Sequence, residues 1–530
     1  MKLSGRIGDK INTMKPVGPE QTQDTHEHDY IALCVSKLKK YKRMKIICFI
    51  AGGRAADLKL TIQELNQSSL VKEIYVVSPY KPELDRAHWI EAESFVKTNT
   101  LKKVCEKASA EFVMFYTKSL PLKLGQSGPE RMARMASDAN AGMLYSDYFE
   151  LKSGRLLPHP VIDYQDGSLR DDFDFGSLVL YKTEAFTAAV QSMKIEYNFA
   201  ALYELRLKIS RGYKIVRMPE LLYTEVETDV RNSGRKMFDY VDPKNRELQI
   251  EMEHACTAHL TAAGAYLEPR FKKIVFDQSD FPVEASVIIP VRNREKTIGD
   301  AIGSVLSQKA DFDFNLIVVD NFSTDGTSEI VKSYACKDSR VIHLIPVRND
   351  LGIGGCWNAG AAHEQCGKFA IQLDSDDLYI DENVITRIVR AFYDQNCAMV
   401  IGSYKMVNFE LEEIPPGLID HKEWTPDNGR NNAMRINGLG APRAFYTPVL
   451  KDVKVPNTSY GEDYALGLNI SRYFQIGRIY EPLYLCRRWE DNSDAELNIQ
   501  QLNAHNFYKD KIRTLEFWAR QQYVKAGQPV

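Results

Sequence analysis

Short apolar runs alternate with stretches of helical spacing along most of this chain. Residues 46–50, 74–77 and 112–116 read as strands, and 58–65 as a helix between the first two. The pattern then starts again. Residues 287–289, 316–319, 341–345 and the run from Phe369 read as strands, with helical spacing over 298–306 and from Trp357 to about 363. Strands that alternate with helices predict a parallel α/β sheet, because each crossover needs a long connection to bring the chain back to the same edge. Further strands are expected at 399–402 and around Ala444. Residues 244–267 carry a long helical pattern expected to bridge two halves, and 271–281 a linker. Residues 403–440 are long, mixed and punctuated by Pro415, Pro416, Gly417, Gly429, Gly438 and Gly440. A connection of that kind is expected to be functional or mobile.

The two halves resemble each other. The stretch from Tyr464 through Ser471, Arg472, Ile476, Arg478, Glu481, Leu483 and Tyr484 matches Tyr203, Ser210, Arg211, Ile215, Arg217, Glu220, Leu222 and Tyr223 at a constant offset. Self-similarity at a fixed offset argues for duplication of one domain.

Composition sets the limits. A chain of 530 residues is too long for one compact core, so two or three domains are expected. Net charge is −3, which gives no whole-chain attraction to nucleic acid. Nine cysteines without a Cys-x-x-Cys pair fit free thiols in a reducing compartment. His254 and His259 lie on different faces of the bridging helix and read as ordinary helix residues. No apolar run is long enough to cross a membrane and no signal-peptide core is evident, so the expected location is cytoplasmic. The helical spacing and lysines of 29–43 admit peripheral contact with the inner face of a membrane, although a solvated helix face is the commoner meaning of such a run.

Candidate chemistry concentrates at one strand end. The run Phe369-Ala-Ile-Gln-Leu closes in Asp374-Ser-Asp376-Asp377. Ligands of open α/β sheets gather where such strands end. Carboxylates crowded there repel one another unless a cation sits among them, and hard divalent ions often take one or two carboxylates plus substrate phosphates. The stretch reads as a holder for a metal–diphosphate, with an acidic turn in water as the alternative. Three other stretches fall at strand ends or helix starts: Pro290-Val-Arg292-Asn293-Arg, Asp320 to Thr327, and Gly461-Glu462-Asp463-Tyr. Within the second, Ser323, Thr324 and Asp325 suit a turn or N-cap.

In order, Ile289-Pro-Val-Arg-Asn, Val318-Val-Asp-Asn-x-Ser-x-Asp-Gly-Thr, Trp357-Asn-x-Gly, Leu373-Asp-Ser-Asp-Asp and Gly461-Glu-Asp resemble the family 2 inverting glycosyltransferases of the GT-A fold, over residues 284–490. The resemblance implies that Asp320 reads the nucleotide base or ribose. Asp376 would ligate Mg²⁺ or Mn²⁺, and Asp374 would approach the ribose or the metal's water. Asp463 would take the proton of the acceptor hydroxyl, with Glu462 holding it or binding acceptor hydroxyls. Pro290, Arg292, Asn293, Arg348, Asn349 and Asn358 would shape the nucleotide-sugar pocket, with Arg292 standing where many members carry Tyr. Near the end, Cys486-Arg-Arg-Trp stands where many relatives have Arg-x-His or Gln-x-x-Arg-Trp. Arg487 or Arg488 would clamp the diphosphate and Trp489 would stack on a sugar, a core aromatic being the alternative for Trp489. The implied partners are a nucleotide-sugar donor, a UDP-sugar first, and a glycan or lipid-linked acceptor. The implied role is polysaccharide or glycoconjugate synthesis.

The expected fold class is therefore α/β: two Rossmann-like GT-A nucleotide-diphospho-sugar transferase domains in tandem, the first degenerate. Its Thr117, Ser119, Ser78, Ala201 and Leu202 stand where the second has Asp374, Asp376, Asp320, Glu462 and Asp463. Expected boundaries are 1–43 for a polar segment and basic helix, 44–227 for the first domain, 228–283 for a helical linker, 284–490 for the catalytic domain and 491–530 for a helical extension. The competing reading is a non-catalytic carbohydrate-binding or scaffold protein of the same fold. A sugar-phosphate nucleotidyltransferase lacks support, because Ala51-Gly-Gly-Arg falls short of its Gly-rich loop.

Overall fold

A computed structural model describes residues 44–84, 86–229, 242–276, 281–488 and 497–528, with Tyr41 and Asp239 as single positions. The basic stretch 29–43, Tyr41 apart, and Trp489 lie outside the described residues.

Nine strands belong to the first half: β1 (Ile46–Ala51), β2 (Val71–Ser78), β3 (His88–Glu91), β4 (Phe112–Tyr116), β5 (Lys123–Leu124), β6 (Ala141–Lys152), β7 (Arg155–His159), β8 (Leu178–Lys182) and β9 (Lys214–Val226). Nine belong to the second: β10 (Ala285–Val291), β11 (Phe314–Asp320), β12 (Val341–Leu344), β13 (Phe369–Gln372), β14 (Leu378–Tyr379), β15 (Met399–Val407), β16 (Glu413–Ile419), β17 (Arg443–Tyr446) and β18 (Ile476–Arg487). Each set forms one sheet, ordered β3-β2-β1-β4-β8-β6-β9-β5 with β7 on β6, and β12-β11-β10-β13-β17-β15-β18-β14 with β16 on β15. The two orders correspond strand for strand. In both, four parallel strands meet an antiparallel neighbour at the same place, β4 against β8 and β13 against β17. The duplication suggested by the repeat is thus present in space as two α/β domains of matching topology.

The strand runs follow from burial. Every residue of β4 and of β11 is buried, as expected for parallel strands covered on both faces. Two apolar clusters fill the two faces of the first sheet. A third is shared: Leu169, Tyr203 and Leu207 of the first half and Ala255, Cys256 and Leu260 of the bridging helix join the core around β10, β11 and β13.

Three expectations are refined. The bridging helix runs Arg246–Ala262, shorter than 244–267. A 3-10 turn at Pro243–Asn245 precedes it, and Gly264, at φ +70, takes the left-handed conformation that ends helices. The helix after β12 starts earlier than Trp357, at Ile353, and ends at Ala362. The long connection after β15 is largely packed structure. Arg430, Asn431, Asn432, Met434, Arg435 and Ile436 are buried. Asn431 exchanges two 2.9 Å hydrogen bonds with the backbone of Leu267. Arg435 pairs with Asp171, and Asn437 donates to Asp172 at 2.9 Å. Polar side chains there satisfy backbone and carboxylates from other segments, so a polar composition does not mark it as loose.

The helix Ile499–Lys525 joins the halves. Its Asp510, fully buried, accepts from Ser168 Oγ at 3.0 Å and Arg513 Nη1 at 2.9 Å, with Arg170 Nε 3.4 Å away. Towards the second domain Arg513 donates to Tyr464 Oη and to the Ile436 carbonyl, each at 2.9 Å. Charges so deeply buried persist only when paired. Among the described residues no helix is long and apolar enough to cross a membrane, and the cysteines described are free thiols.

Candidate active site

A cleft of about 300 Å³ opens at the ends of β10 and β13 and is closed by the start of the helix Glu462–Tyr473. Asp374, Asp376 and Asp377 come from the end of β13, and Glu462 and Asp463 from the helix. Gly461 sits at φ +73, a left-handed position that Gly adopts without a Cβ penalty, and it turns the chain so that two acids open the helix.

Arg443, the first residue of β17, connects the two acidic walls. Its Nη1 lies 2.7 Å from Asp463 Oδ2 and donates to the Gly440 carbonyl at 2.8 Å. Its backbone N–H donates to Gln372 Oε1 at 3.1 Å, and Gln372 Nε2 donates to Asp374 Oδ1 at 2.8 Å. Burial works against the Arg443 charge, but Asp463, Asp374 and Glu462 hold it firmly protonated.

The acids titrate apart. Burial raises Asp374, and the nearby Asp376 adds to the rise, against Arg443 and Gln372. Asp377 is raised further by burial, Asp376 and Asp374. Burial and the neighbouring Asp463 push Glu462 up to about 8, and its Oε2 is buried with no hydrogen-bond partner among the described residues. Burial would raise Asp463 too, yet Arg443 and Lys509 more than offset it and its carboxyl sits below its usual range. At neutral pH the helix start therefore pairs a protonated Glu462 with an ionised Asp463. Lys509 comes from the last helix; its Nζ donates to the Asn437 carbonyl at 2.6 Å and lies 4.6 Å from the Tyr460 ring centre.

Whether these residues fit a divalent cation can be judged from the donor set. Two carboxylates at the strand tip, burdened by mutual repulsion, match a hard ion that completes its shell with phosphate oxygens and water. Among the described residues no group of three or more His, Cys, Asp or Glu is placed to hold a metal ion by itself.

Of the other expected residues, Pro290 and Arg488 line the cleft. Arg487 does not. Its backbone N–H donates to Asp377 Oδ1 at 2.8 Å, its Nη1 lies 2.9 Å from Asp300, and its Nε donates to the Asp376 carbonyl. It braces the acidic tip from behind. Asp320 is 1% exposed, accepting from Ser323 N at 3.0 Å and Ser328 Oγ at 2.5 Å, with His343 Nε2 3.1 Å away. Asn293, at φ +55, donates its N–H to Ser323 Oγ and accepts from Thr324 N, so it locks two loops together. Asn358 makes both its bonds with the backbone of Val455. Arg348 is exposed and paired with Asp350, and Arg292 and Asn349 are exposed. Arg443, Gln372, Trp357, Arg294 and Lys509 belong to the site or its border and were not singled out from the sequence as site residues. For Arg443 a signal existed: it is the one charge in the run Ala441-Pro-Arg-Ala-Phe-Tyr.

The first domain has a comparable opening with different side chains. The helix Ala201–Ser210 begins where Glu462–Tyr473 begins in the repeat. Thr117 and Ser119 follow β4, and between them Lys118 pairs with Glu225.

The fold and the cleft define an α/β domain with an acidic strand tip facing a crevice. Residues 286–446 match the family model described as Glycosyl transferase family 2. Among curated proteins the chain is 25% identical over 234 residues to the Poly(ribitol-phosphate) beta-glucosyltransferase of Bacillus spizizenii, covering 43% of this chain and 35% of that protein. It is 31% identical over 170 residues to the Poly(ribitol-phosphate) beta-N-acetylglucosaminyltransferase TarS of Staphylococcus aureus, covering 32% and 28% respectively. The chain thus spans about a third of the length of these relatives. A crystal structure of residues 1–349 of S. aureus TarS in complex with UDP-GlcNAc aligns at 22% identity and a TM-score of 0.34, over 45% of this chain and 72% of that one.

Proposed function

We propose that this chain is an inverting, divalent-metal-dependent glycosyltransferase that moves a sugar from a nucleoside diphosphate, a UDP-sugar first, to a hydroxyl of a glycan used in cell-surface polysaccharide or glycoconjugate synthesis. One observation carries the reading: a single cleft sets an acidic strand tip against a helix start whose Asp463 is held ionised beside Arg443. The names of the curated relatives, which act on poly(ribitol-phosphate), support the acceptor class.

The site would work as follows. Asp374 and Asp376 would hold the cation, which would supply positive charge against the charge that grows on the leaving diphosphate. Arg488, on the same cleft, faces the diphosphate as a further positive group. Asp463 receives the proton of the acceptor hydroxyl as its oxygen bonds to the anomeric carbon from the face opposite the diphosphate. The carbon–oxygen bond to the diphosphate breaks with its electron pair going to the phosphate oxygen, and the single displacement inverts the centre. Glu462, neutral at neutral pH, keeps a second negative charge away from Asp463 and offers a proton to an acceptor hydroxyl. Asp320, Asn293 and Asn358 support the nucleotide side by fixing the loops that frame it. The first domain, without acids at the matched positions, is degenerate in chemistry and serves acceptor binding or assembly.

The test is a donor screen by nucleotide release from UDP-glucose, UDP-N-acetylglucosamine and GDP-mannose, with Mn²⁺ or Mg²⁺ and with chelator. Release from one donor that stops in chelator and returns with metal is the expected result. No release from any of them, with sugar binding intact, would favour a carbohydrate-binding protein instead.

A further inference from the structure

A second cleft, of about 370 Å³, opens at the ends of β1, β2 and β4 in the first domain. It lies at the strand ends that correspond to β10, β11 and β13, beside which the cleft of the second domain opens at β10 and β13. Its wall includes Ser78, Tyr80, Lys81, Glu93, Thr117 and Ser119. Two glycines form its floor at close quarters. A Cβ on Gly52 would stand 2.5 Å from Ser78 Cβ, and one on Gly53 would stand 2.4 Å from the Ser119 carbonyl oxygen. The β1 loop is thus pressed against the neighbouring strand ends as bare backbone, and no side chain from it fills the space.

The chemistry of this wall selects a ligand. Lys118 does not line the cleft; its ammonium pairs with Glu225, which also accepts from Ser177 Oγ, and it donates to the Val226 carbonyl at 3.2 Å. Lys81 shares the wall with the opposite charge of Glu93. A nucleoside diphosphate would find neither a pair of carboxylates to hold a cation nor an excess of positive charge. A neutral polyhydroxylated ligand would find the Ser119 hydroxyl, the acceptor lone pairs of Ser78 Oγ and Thr117 Oγ1, whose protons go to the Tyr80 and Ser177 carbonyls, backbone groups on the glycine loop, and a broad ring at the rim. Tyr80 is 83% exposed, and Ser78 Oγ donates to the Tyr80 carbonyl at 2.5 Å, which ties the backbone that carries the ring. Such a ring offers an apolar face and a polar tip, suited to the C–H face of a sugar.

We infer that the first domain's cleft binds a neutral carbohydrate segment, stacked on Tyr80 and hydrogen-bonded by Thr117 and Ser119. The sugar-transfer reading is used here only to choose carbohydrate among neutral polyhydroxylated ligands. A site on the same chain as the catalytic cleft raises the effective concentration of a long acceptor without adding any contact at the reacting centre.

The experiment is saturation-transfer NMR on the full chain in chelator, with cellobiose and chitobiose as probes. Saturation should reach the protons of at least one disaccharide. It should be lost in Tyr80→Ala and in Ser119→Trp, the second filling the cleft, and kept in Asp376→Ala. Unfolding midpoints check that both first-domain variants are folded. Signals unchanged in both of those variants, signals lost in Asp376→Ala, or no transfer to either sugar would overturn the inference. So would UDP receiving saturation in chelator through a contact that Tyr80→Ala removes. Donor hydrolysis, measured separately, distinguishes the two readings: its absence beside a Tyr80-dependent sugar signal sinks the transferase and leaves this site standing.

Discussion

After β13 the chain reads Asp374-Ser-Asp376-Asp377; after β4 it reads Thr117-Lys118-Ser119-Leu120. The sheets around these two tips share strand order and register, so the difference is one of side chains and not of scaffold. The second tip carries negative charge in excess, and its carboxyls are raised by burial and by one another. At the first tip the positive charge is covalent: Lys118 meets Glu225, whose side chain is 4% exposed. One domain gathers carboxylates in its cleft, and the other turns a lysine away from its cleft onto a buried glutamate. A strand end facing a crevice tolerates such exchange because the fold is held elsewhere, by buried β-strands and the helices over them.

The strongest test of that contrast is Asp376→Ala. We expect it to abolish metal-dependent nucleotide release, with no recovery when Mn²⁺ is added back after chelation. A variant as active as the parent in chelator would place the cation elsewhere.

Asp463→Asn removes the proton acceptor while keeping shape. Transfer should fall roughly 10²–10⁴-fold, the usual contribution of a positioned base, with donor affinity by calorimetry nearly unchanged. Transfer at the parent rate would rule Asp463 out as the base.

Arg443 has no counterpart in the first domain, where Val179 lies in the strand that pairs with β4. Arg443→Met leaves Asp463 and Asp374 without their shared positive neighbour. A stability loss of roughly 1–3 kcal/mol is expected, below the range for a fully buried pair because the Asp463 side chain is 26% exposed. Urea unfolding at neutral pH measures it, and an unchanged midpoint would show that the pair is not a structural link.

Glu462→Gln sharpens the comparison through pH. Between about 4.5 and about 8 the folded chain keeps a proton on Glu462 that the unfolded chain has released. The folded state binds more protons across that window, so this group's contribution to stability declines as pH rises. Glutamine is neutral throughout, and the variant should gain on the parent in alkaline buffer while matching it in acid. Parallel unfolding-midpoint profiles for the two proteins would contradict the protonated state.

The smallest effect belongs to the first domain. Thr117→Ala with Ser119→Ala should leave metal-dependent donor hydrolysis within error of the parent, since a hydroxyl is a poor substitute for a carboxylate on a hard cation. A stoichiometric metal–nucleotide site that calorimetry finds in the parent and loses in this variant would make the two domains equals.

Much of this was legible in the sequence, for a physical reason. Buried parallel strands are written as apolar runs, so β1, β4, β10 and β11 stand out, and the repeat from Tyr203 to Tyr223 against Tyr464 to Tyr484 anticipated the matching of β9 with β18. The acids that form the cleft were legible because each closes a strand or opens a helix. Residues whose roles depend on distant partners were not. Arg443 meets Asp463 across the cleft, Lys509 arrives from the last helix, and Arg487 could not be told from Arg488 until their side chains were seen to point apart. The buried connection around Arg435 was hidden by its own polarity, since composition does not say that Asp171 waits for it.

The helix Ile499–Lys525 is made last among the parts it unites. On a ribosome, domains fold roughly as they emerge, at about 5–20 residues per second. Both sheets and the acidic strand tip leave the exit tunnel before Lys509 and Asp510 are available. For that interval Asp463 has no Lys509 beside it, and Arg170 and Ser168 have no Asp510. The order of synthesis therefore leaves Asp463 without one of its two positive neighbours until the two domains are clasped. A message truncated just ahead of this helix would yield a chain with every strand in place and its seam open, and cellular quality control would meet the fault as unpaired arginine and bare apolar surface, not as a missing catalytic group.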